Sequence, residues 1–484
     1  MYRALYIFAS VALSLALCSS CVHKPVDDPD NKDTRSLTFN EQTVQVSWEE
    51  GGFSVSVNAN FDYTVSILSE WIHEDAGKTS TAAIRYFTAD ENEAATPREG
   101  QIRFADRSDR YYAKNVTVVQ EANKRVKTAI SIVDKDATEQ TRALLANLYA
   151  IADNGWMFGH HDDLWYGRYW YDEKGNSDTK AVCGDYPAVF SVDLAEIMDN
   201  RYASSANAIR RRVILEARER GEVIIACAHL NNPLTGGDSW DNSSDKVVSE
   251  ILTEGSATRT KYLSWLDRLA DFANNLKDSR GDLVPMILRI YHEHTQSWSW
   301  WGSKCTTSSD FVALWQMTVR YLRDTRGVHN LLYAVSPQMD EIYSTASDRI
   351  LYRWPGDAWV DFIGMDCYHG TWDDAFKSNL RALEAVSKSK TKPCGVTETG
   401  KESFTQQDFW TRHILNPVGD YRVSMVVMWR NKYVGGNESD KHFYSVYPGH
   451  PSEDDFRTMY AAPRSLFSAD LPDMYSMPKG YEIK

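Results

Sequence analysis

Residues 286–294, MILRIYHEH, set the reading of the fold. An apolar run leads straight into the charged string His292-Glu293-His294, with no apolar/polar alternation. A strand solvated on one face alternates, whereas a strand covered on both faces does not, and parallel sheets require the second kind. Seven further segments have the same form: WMFGHH (156–161), AVFSVDL (188–194), VIIACAHL (223–230), NLLYAVSP (330–337), DFIGMDCYH (361–369), CGVTETG (394–400) and VSMVVMWRN (423–431). Helix-period segments lie between and before them. One is 138–152, with Leu144, Leu145, Leu148 and Ile151 on one side; another is 308–326, with Phe311, Trp315, Val319 and Leu322 at spacings of four and three.

Eight such units over roughly 300 residues predict an α/β chain folded as a (β/α)8 TIM barrel, spanning residues 124–478. Upstream, residues 36–122 have period two instead: Val44, Val46, Trp48; Phe53, Val55, Val57, Ala59; Tyr63, Val65, Ile67; then Ile102, Phe104, Val116 and Val118. No helical stretch interrupts them, which predicts a small all-β sandwich, with Gly51-Gly52 as a hairpin turn between the first two runs. The first 20 residues are an Arg3-led apolar run of the kind found in secretory signals, followed at once by Cys21 and a polar, proline-bearing tether over 21–35.

Composition narrows the function. The chain has 484 residues with 53 Lys or Arg and 67 Asp or Glu, a formal charge of −14 that argues against a nucleic-acid partner. Beyond the leader, five scattered cysteines (Cys183, Cys227, Cys305, Cys367, Cys394) lack the close pairing of a zinc site or a disulfide framework. Tryptophan is abundant, 16 residues, and all but Trp48 and Trp71 lie in the barrel region. Flat rings of this kind stack on the C–H face of a sugar.

In a TIM barrel the chemistry sits at the C-terminal strand ends, which here read His160, Asp193, His229, Glu293, Ser336, Tyr368, Glu398 and Trp429. Glu293 and Glu398 close the fourth and seventh strands, on opposing sides of the barrel. Burying a carboxyl at an apolar strand end is costly unless it is paired or functional, and hydrolysis of a glycosidic bond uses two carboxyls, one protonated and one ionised. His160 and Asp193 have structural roles on this reading, as does at least one of Trp300 and Trp301.

The motifs GHHDD (159–163), HLNNP (229–233), RIYHEHTQSWSWWG (289–302), GMDCYH (364–369), TETG (397–400) and MWRN (428–431) together resemble glycoside hydrolase family 26, mainly β-mannanases. The chain departs from the family pattern at Ile290 and at Thr295-Gln296. The resemblance implies a retaining endo-β-1,4-mannanase acting on mannan, galactomannan or glucomannan without cofactor or metal. It implies Glu293 as acid/base, Glu398 as nucleophile, and His229, His292, Trp298, Tyr368 and Trp429 as substrate contacts, with Tyr368 orienting Glu398. β-1,3-Xylanase and mixed-linkage β-glucanase activities occur in the same family, and a non-catalytic glycan-binding lipoprotein is the alternative of another class. Trp71-Ile72, PREG (97–100) and NVTVVQ (115–120) resemble the BACON module of Bacteroidetes proteins, implying a spacer or weak glycan binder. Ser19-Ser20-Cys21 resembles a bacterial lipoprotein signal, with Cys18 at a position where Leu is usual. It implies lipidation at Cys21, anchoring in the outer membrane, facing the cell surface or the periplasm, and other polysaccharide-utilisation proteins as partners.

Overall fold

The computed structural model describes residues 34–124, 127–200, 204–437 and 439–484. The expected secretory signal and Cys21 lie outside them. No helix among the described residues is long and apolar enough to cross a membrane. The chain divides into two compact units, meeting in sequence at Lys124 and Arg125.

The first unit is a sandwich of two four-stranded sheets. Leu37–Phe39, Gly51–Ala59, Ile84–Ala89 and Ile72–Glu74 form one; Thr43–Val46, Ala113–Gln120, Arg98–Asp106 and Tyr63–Ile67 form the other. Leu37, Val55 and Phe87 from the first sheet meet Ile102, Phe104, Val116 and Val118 from the second in one buried core. The hairpin expected at Gly51-Gly52 is absent. Those glycines begin the strand Gly51–Ala59, which pairs with Ile84–Ala89, while Thr43–Val46 belongs to the opposite sheet and runs parallel to Ala113–Gln120. Alternation shows which face of a strand is buried but not which sheet the strand joins.

The second unit is the barrel. Its strands are β1 (Trp156–His161), β2 (Val189–Asp193), β3 (Val223–Cys227), β4 (Met286–Arg289), β5 (Leu331–Val335), β6 (Phe362–Cys367), β7 (Cys394–Thr399) and β8 (Met425–Met428). Each pairs in parallel with the next, and β8 closes on β1. All are buried along their length except at Asp193, as a sheet covered on both faces must be.

Helix α1 (Glu139–Ile151) starts where the Thr138 hydroxyl accepts a bond from the Thr141 amide, an N-cap. Its Leu144, Leu145 and Leu148 pack with Met157, Val189, Val223, Ile287, Leu332, Phe362 and Met425. Those seven residues lie at or next to the first positions of their strands, so α1 plugs the N-terminal mouth and the opposite end is left open for a ligand. The helix expected over 308–326 is α-helical for Ser308–Arg320 and widens into a π turn at Tyr321–Thr325. The chain also continues usefully past residue 478: Tyr481–Ile483 pairs with Thr128–Ile130.

The ladders are shorter than the apolar runs suggest. β3 stops at Cys227, β4 at Arg289 and β8 at Met428. His229, His292, Glu293 and Trp429 therefore sit in the turns just beyond, where the strands diverge.

Candidate active site

Two local irregularities aim the glutamates. Glu293 has φ +53°, a left-handed conformation uncommon outside glycine. Its amide donates to the Ser336 carbonyl at 2.7 Å, which ties the turn after β4 to the end of β5. The second irregularity is in β7, whose register shifts against β8 between Val396 and Thr399. Strict alternation would send Thr397 and Glu398 to opposite faces, but with this bulge both reach the same buried cluster. The Thr397 hydroxyl donates to Asp366 Oδ1 at 2.7 Å, and Glu398 pairs with Arg289.

Arg289 is the hub of that cluster. Fully buried, it donates to Asp366 Oδ2 at 3.0 Å through Nη1 and to Glu398 Oε1 through Nη2. The remaining oxygen, Glu398 Oε2, accepts from the Tyr368 hydroxyl at 2.7 Å. Glu293 Oε2 accepts from Trp298 Nε1 at 2.9 Å. Carboxylate oxygens of Glu293, Asp366 and Glu398 lie within 4.8 Å of one another. That is the close spacing of retaining enzymes; inverting ones hold the pair about 6.5–9.5 Å apart to admit water.

Electrostatics separates the two glutamates. Burial raises the Glu293 carboxyl well above its usual value, and the nearby negative charges of Asp366 and Glu398 push the same way. Burial would raise Glu398 too, but the Arg289 charge and hydrogen bond, together with His229, more than offset it and hold Glu398 below the usual glutamate value. Glu293 is thus arranged to carry a proton and Glu398 a negative charge. Burial, then the Glu398 charge, keeps the Tyr368 hydroxyl protonated and so a donor.

Two histidines of the neighbouring floor are held neutral. Burial lowers both His292 and His161 well below the ordinary imidazole value. His229 Nδ1 lies 2.8 Å from Asp193 Oδ2, and its Nε2 lies 3.1 Å from His292 Nε2. The chain is satisfied when His229 Nδ1–H donates to Asp193 and one proton lies between the two facing Nε2 atoms. Burial would raise Asp193, but the hydrogen bond and charge of His229 hold it far below the carboxylate range. His161 stacks on Trp429, ring centroids 4.2 Å apart at 26°, which fixes the indole plane.

A cavity of about 470 Å³ covers Glu293 and Glu398, lined also by His229, His292, Trp298, Tyr368 and Trp429. The sequence-derived contacts therefore share one cavity. A second cavity of about 920 Å³ adjoins it and shares His229, Trp240, Trp429 and His442. His160 points elsewhere: it is buried against Asp163, Nδ1 to Oδ1 3.0 Å, and Thr179. Trp300 and Trp301 are both core, donating to the carbonyls of Leu230 and His292.

Sequence reasoning missed Arg289, Asp366, His161 and Trp240. The first two were legible as charged residues inside otherwise apolar strands, a costly placement that demands a partner. His161 is the adjacent, inward member of the pair from which His160 was read as the strand end. Trp240 sits in the long connection after β3, 65% exposed and stacked loosely on Trp298 at 6.4 Å, and no periodicity marks it.

Arg289→Lys supplies a pH test. On the expectation that Glu398 acts ionised, activity falls as pH drops through its depressed pKa; a lysine cannot bridge Asp366 and Glu398 in the same way. The acidic limb of kcat/KM against pH is expected to move upward while the basic limb, set by Glu293, stays. An unmoved acidic limb would show that Arg289 does not set the Glu398 charge.

The family model "Glycosyl hydrolase family 26" matches residues 133–409. A mannan endo-1,4-beta-mannosidase of Bifidobacterium adolescentis is 30% identical over 380 residues, covering 72% of this chain; the match spans 37% of that protein's length. One from Bacillus subtilis is 23% identical over 289 residues, covering 57% of this chain and 74% of that protein. The structure of a GH26 beta-mannanase from Bacteroides ovatus superposes with a TM-score of 0.65 at 39% identity, covering 70% of this chain and 98% of that one.

Proposed function

The chain belongs to glycosyl hydrolase family 26, and from that premise we propose that it is a retaining endo-β-1,4-mannanase that cleaves mannan, galactomannan or glucomannan. The observation that carries this reading is the pair Glu293 and Glu398, with oxygens within 4.8 Å and environments that drive their proton affinities apart. The names of the relatives support mannan as substrate and internal cleavage as the mode.

The residues act in two displacements. Glu398 attacks the anomeric carbon while Glu293 passes its proton to the glycosidic oxygen; the aglycone leaves and a glycosyl ester remains on Glu398. Glu293, now ionised, takes a proton from water as that water attacks the same carbon, which releases sugar of the original configuration and restores both carboxyls. Arg289 and Tyr368 hold Glu398 by its two oxygens, so it meets the anomeric carbon in a fixed orientation. As the ester forms, Tyr368 keeps a donor near the atom that loses charge. His292 presents a neutral hydrogen-bonding group, His229 a second polar ring and Trp429 a flat one to an uncharged sugar.

Product analysis on mannan, galactomannan, xylan and lichenan side by side tests the substrate. Mannooligosaccharides released from the mannans, with the β-anomer appearing first by proton NMR, are expected. Cleavage confined to lichenan or xylan would replace the substrate, and an initial α-anomer would overturn retention.

The same proposal extends to the N-terminal part. Residues 36–122 act as a BACON-like spacer or weak glycan binder, and Cys21 bears the lipid that holds the enzyme on the outer membrane, at the surface or periplasmic face, among other polysaccharide-utilisation proteins. The Ser19-Ser20-Cys21 sequence and the polar tether support it. Cys21→Ser should release the protein from the membrane fraction; retention there would refute the anchor.

A further inference from the structure

Tyr444, in the connection after β8, lines the cavity over the two glutamates, and its ring is closely held. It meets Tyr368 edge to face, centroids 5.7 Å apart at 71°, and His442 in the same manner at 5.3 Å and 77°. It also lies against Gly400, two residues past Glu398. A Cβ there would come within 3.0 Å of Tyr444 Cβ and Cδ1, and Gly400 has φ +138°, so only glycine permits this approach.

The backbone under that ring is fixed by one carboxamide. Asn431, two residues past Trp429 and 1% exposed, accepts through Oδ1 from the Tyr444 amide at 3.2 Å and the Ser445 amide at 3.0 Å. Its Nδ2 donates to the Val446 carbonyl and to Asp178 Oδ2, both at 3.0 Å. Both acceptor sites and both protons of the amide are thereby used. Asp178 is anchored in turn, by the Arg168 amide at 2.8 Å and Trp170 Nε1 at 3.0 Å. Residues 444–446 therefore have one position, and it delivers the Tyr444 ring to Tyr368, whose hydroxyl donates to Glu398 Oε2 at 2.7 Å.

We infer that Tyr444 is a positioning residue for the nucleophile: by bracing the Tyr368 ring it keeps the Tyr368 hydroxyl on Glu398 while that carboxylate attacks. Without the brace the phenol is free to turn about its side-chain bonds, and a small error of aim at a reacting oxygen costs rate more than binding. The inference rests on the reading of Glu398 as the nucleophile.

A double-mutant cycle tests it, with kcat and KM on mannohexaose for the unaltered enzyme, Tyr444→Ala, Tyr368→Phe and the combined variant. Tyr444→Ala should lower kcat by roughly three- to tenfold, the worth of one edge-to-face contact, with KM little changed. In the Tyr368→Phe background the same change should cost less than about twofold, because the bond it protects is already gone. Tyr444→Phe, which keeps the ring, should restore kcat. Tyr444→Leu fills space without offering a ring; it serves where alanine lowers the melting temperature, and should repeat the loss. Equal losses in both backgrounds, a loss confined to KM, or a Phe variant as impaired as the alanine one would each overturn the proposal. Full activity of Tyr368→Phe overturns it too, whereas the nucleophile itself is judged separately by Glu398→Ala. Failure of the unaltered enzyme to cut mannohexaose counts instead against the substrate reading, and the cycle is then run on a β-glucan hexaose.

Discussion

Glu398→Ala is expected to lower kcat on mannan by roughly four orders of magnitude or more, the scale seen when a covalent nucleophile is removed. Binding of mannooligosaccharide, followed by calorimetry, should persist, because His229, His292, Trp298 and Trp429 still line the same cavity. Removing the carboxylate also leaves Arg289 paired with Asp366 alone, so the cluster keeps a counter-charge and the fold survives. The variant should be open to chemical rescue. With an activated mannosyl substrate and azide, the anion enters where Glu398 stood and displaces the leaving group directly, yielding the α-glycosyl azide. Undiminished release of reducing sugar by the variant would sink the assignment of the nucleophile.

Glu293→Ala should behave differently in four ways. Turnover of polymer should fall by about 10²- to 10⁴-fold, the usual contribution of a positioned acid. A dinitrophenyl glycoside, whose leaving group needs no proton, should form the glycosyl ester at a much less impaired rate, so its kcat becomes limited by hydrolysis of that ester. Azide should then attack the ester from the Glu293 side and give the β-glycosyl azide, the opposite anomer to that from Glu398→Ala. The basic limb of the pH profile should also vanish. In the unaltered enzyme activity falls as pH rises through the raised Glu293 pKa, because the acid then loses its proton. An identical azide product from both variants would refute the division of roles.

The barrel was legible because parallel strands covered on both faces leave a distinctive mark, apolar runs that end in polar residues. The two glutamates were legible for the same reason, since a carboxyl at such an end calls for an explanation. What the pattern does not encode is the path of the chain where the ladder stops. The run 286–294 reads as one strand, yet pairing ends at Arg289 and Glu293 turns left-handed. Alternation likewise misplaces Thr397 and Glu398, because a bulge is a defect in the very period being counted. The role of Arg289 depends on Asp366 and Glu398, respectively 77 and 109 residues away in sequence, so its pairing emerges only once the strands are adjacent.

The small pairing of Tyr481–Ile483 with Thr128–Ile130 sits beside α1 at the plugged mouth, where Ile130 joins the core that Tyr481 and Ile483 cover. Both ends of the catalytic unit are therefore stitched together on the side away from the glutamates. A protein, surface or resin joined at Lys484 grips the enzyme from behind, and a polysaccharide too long to diffuse freely still finds the working face unobstructed.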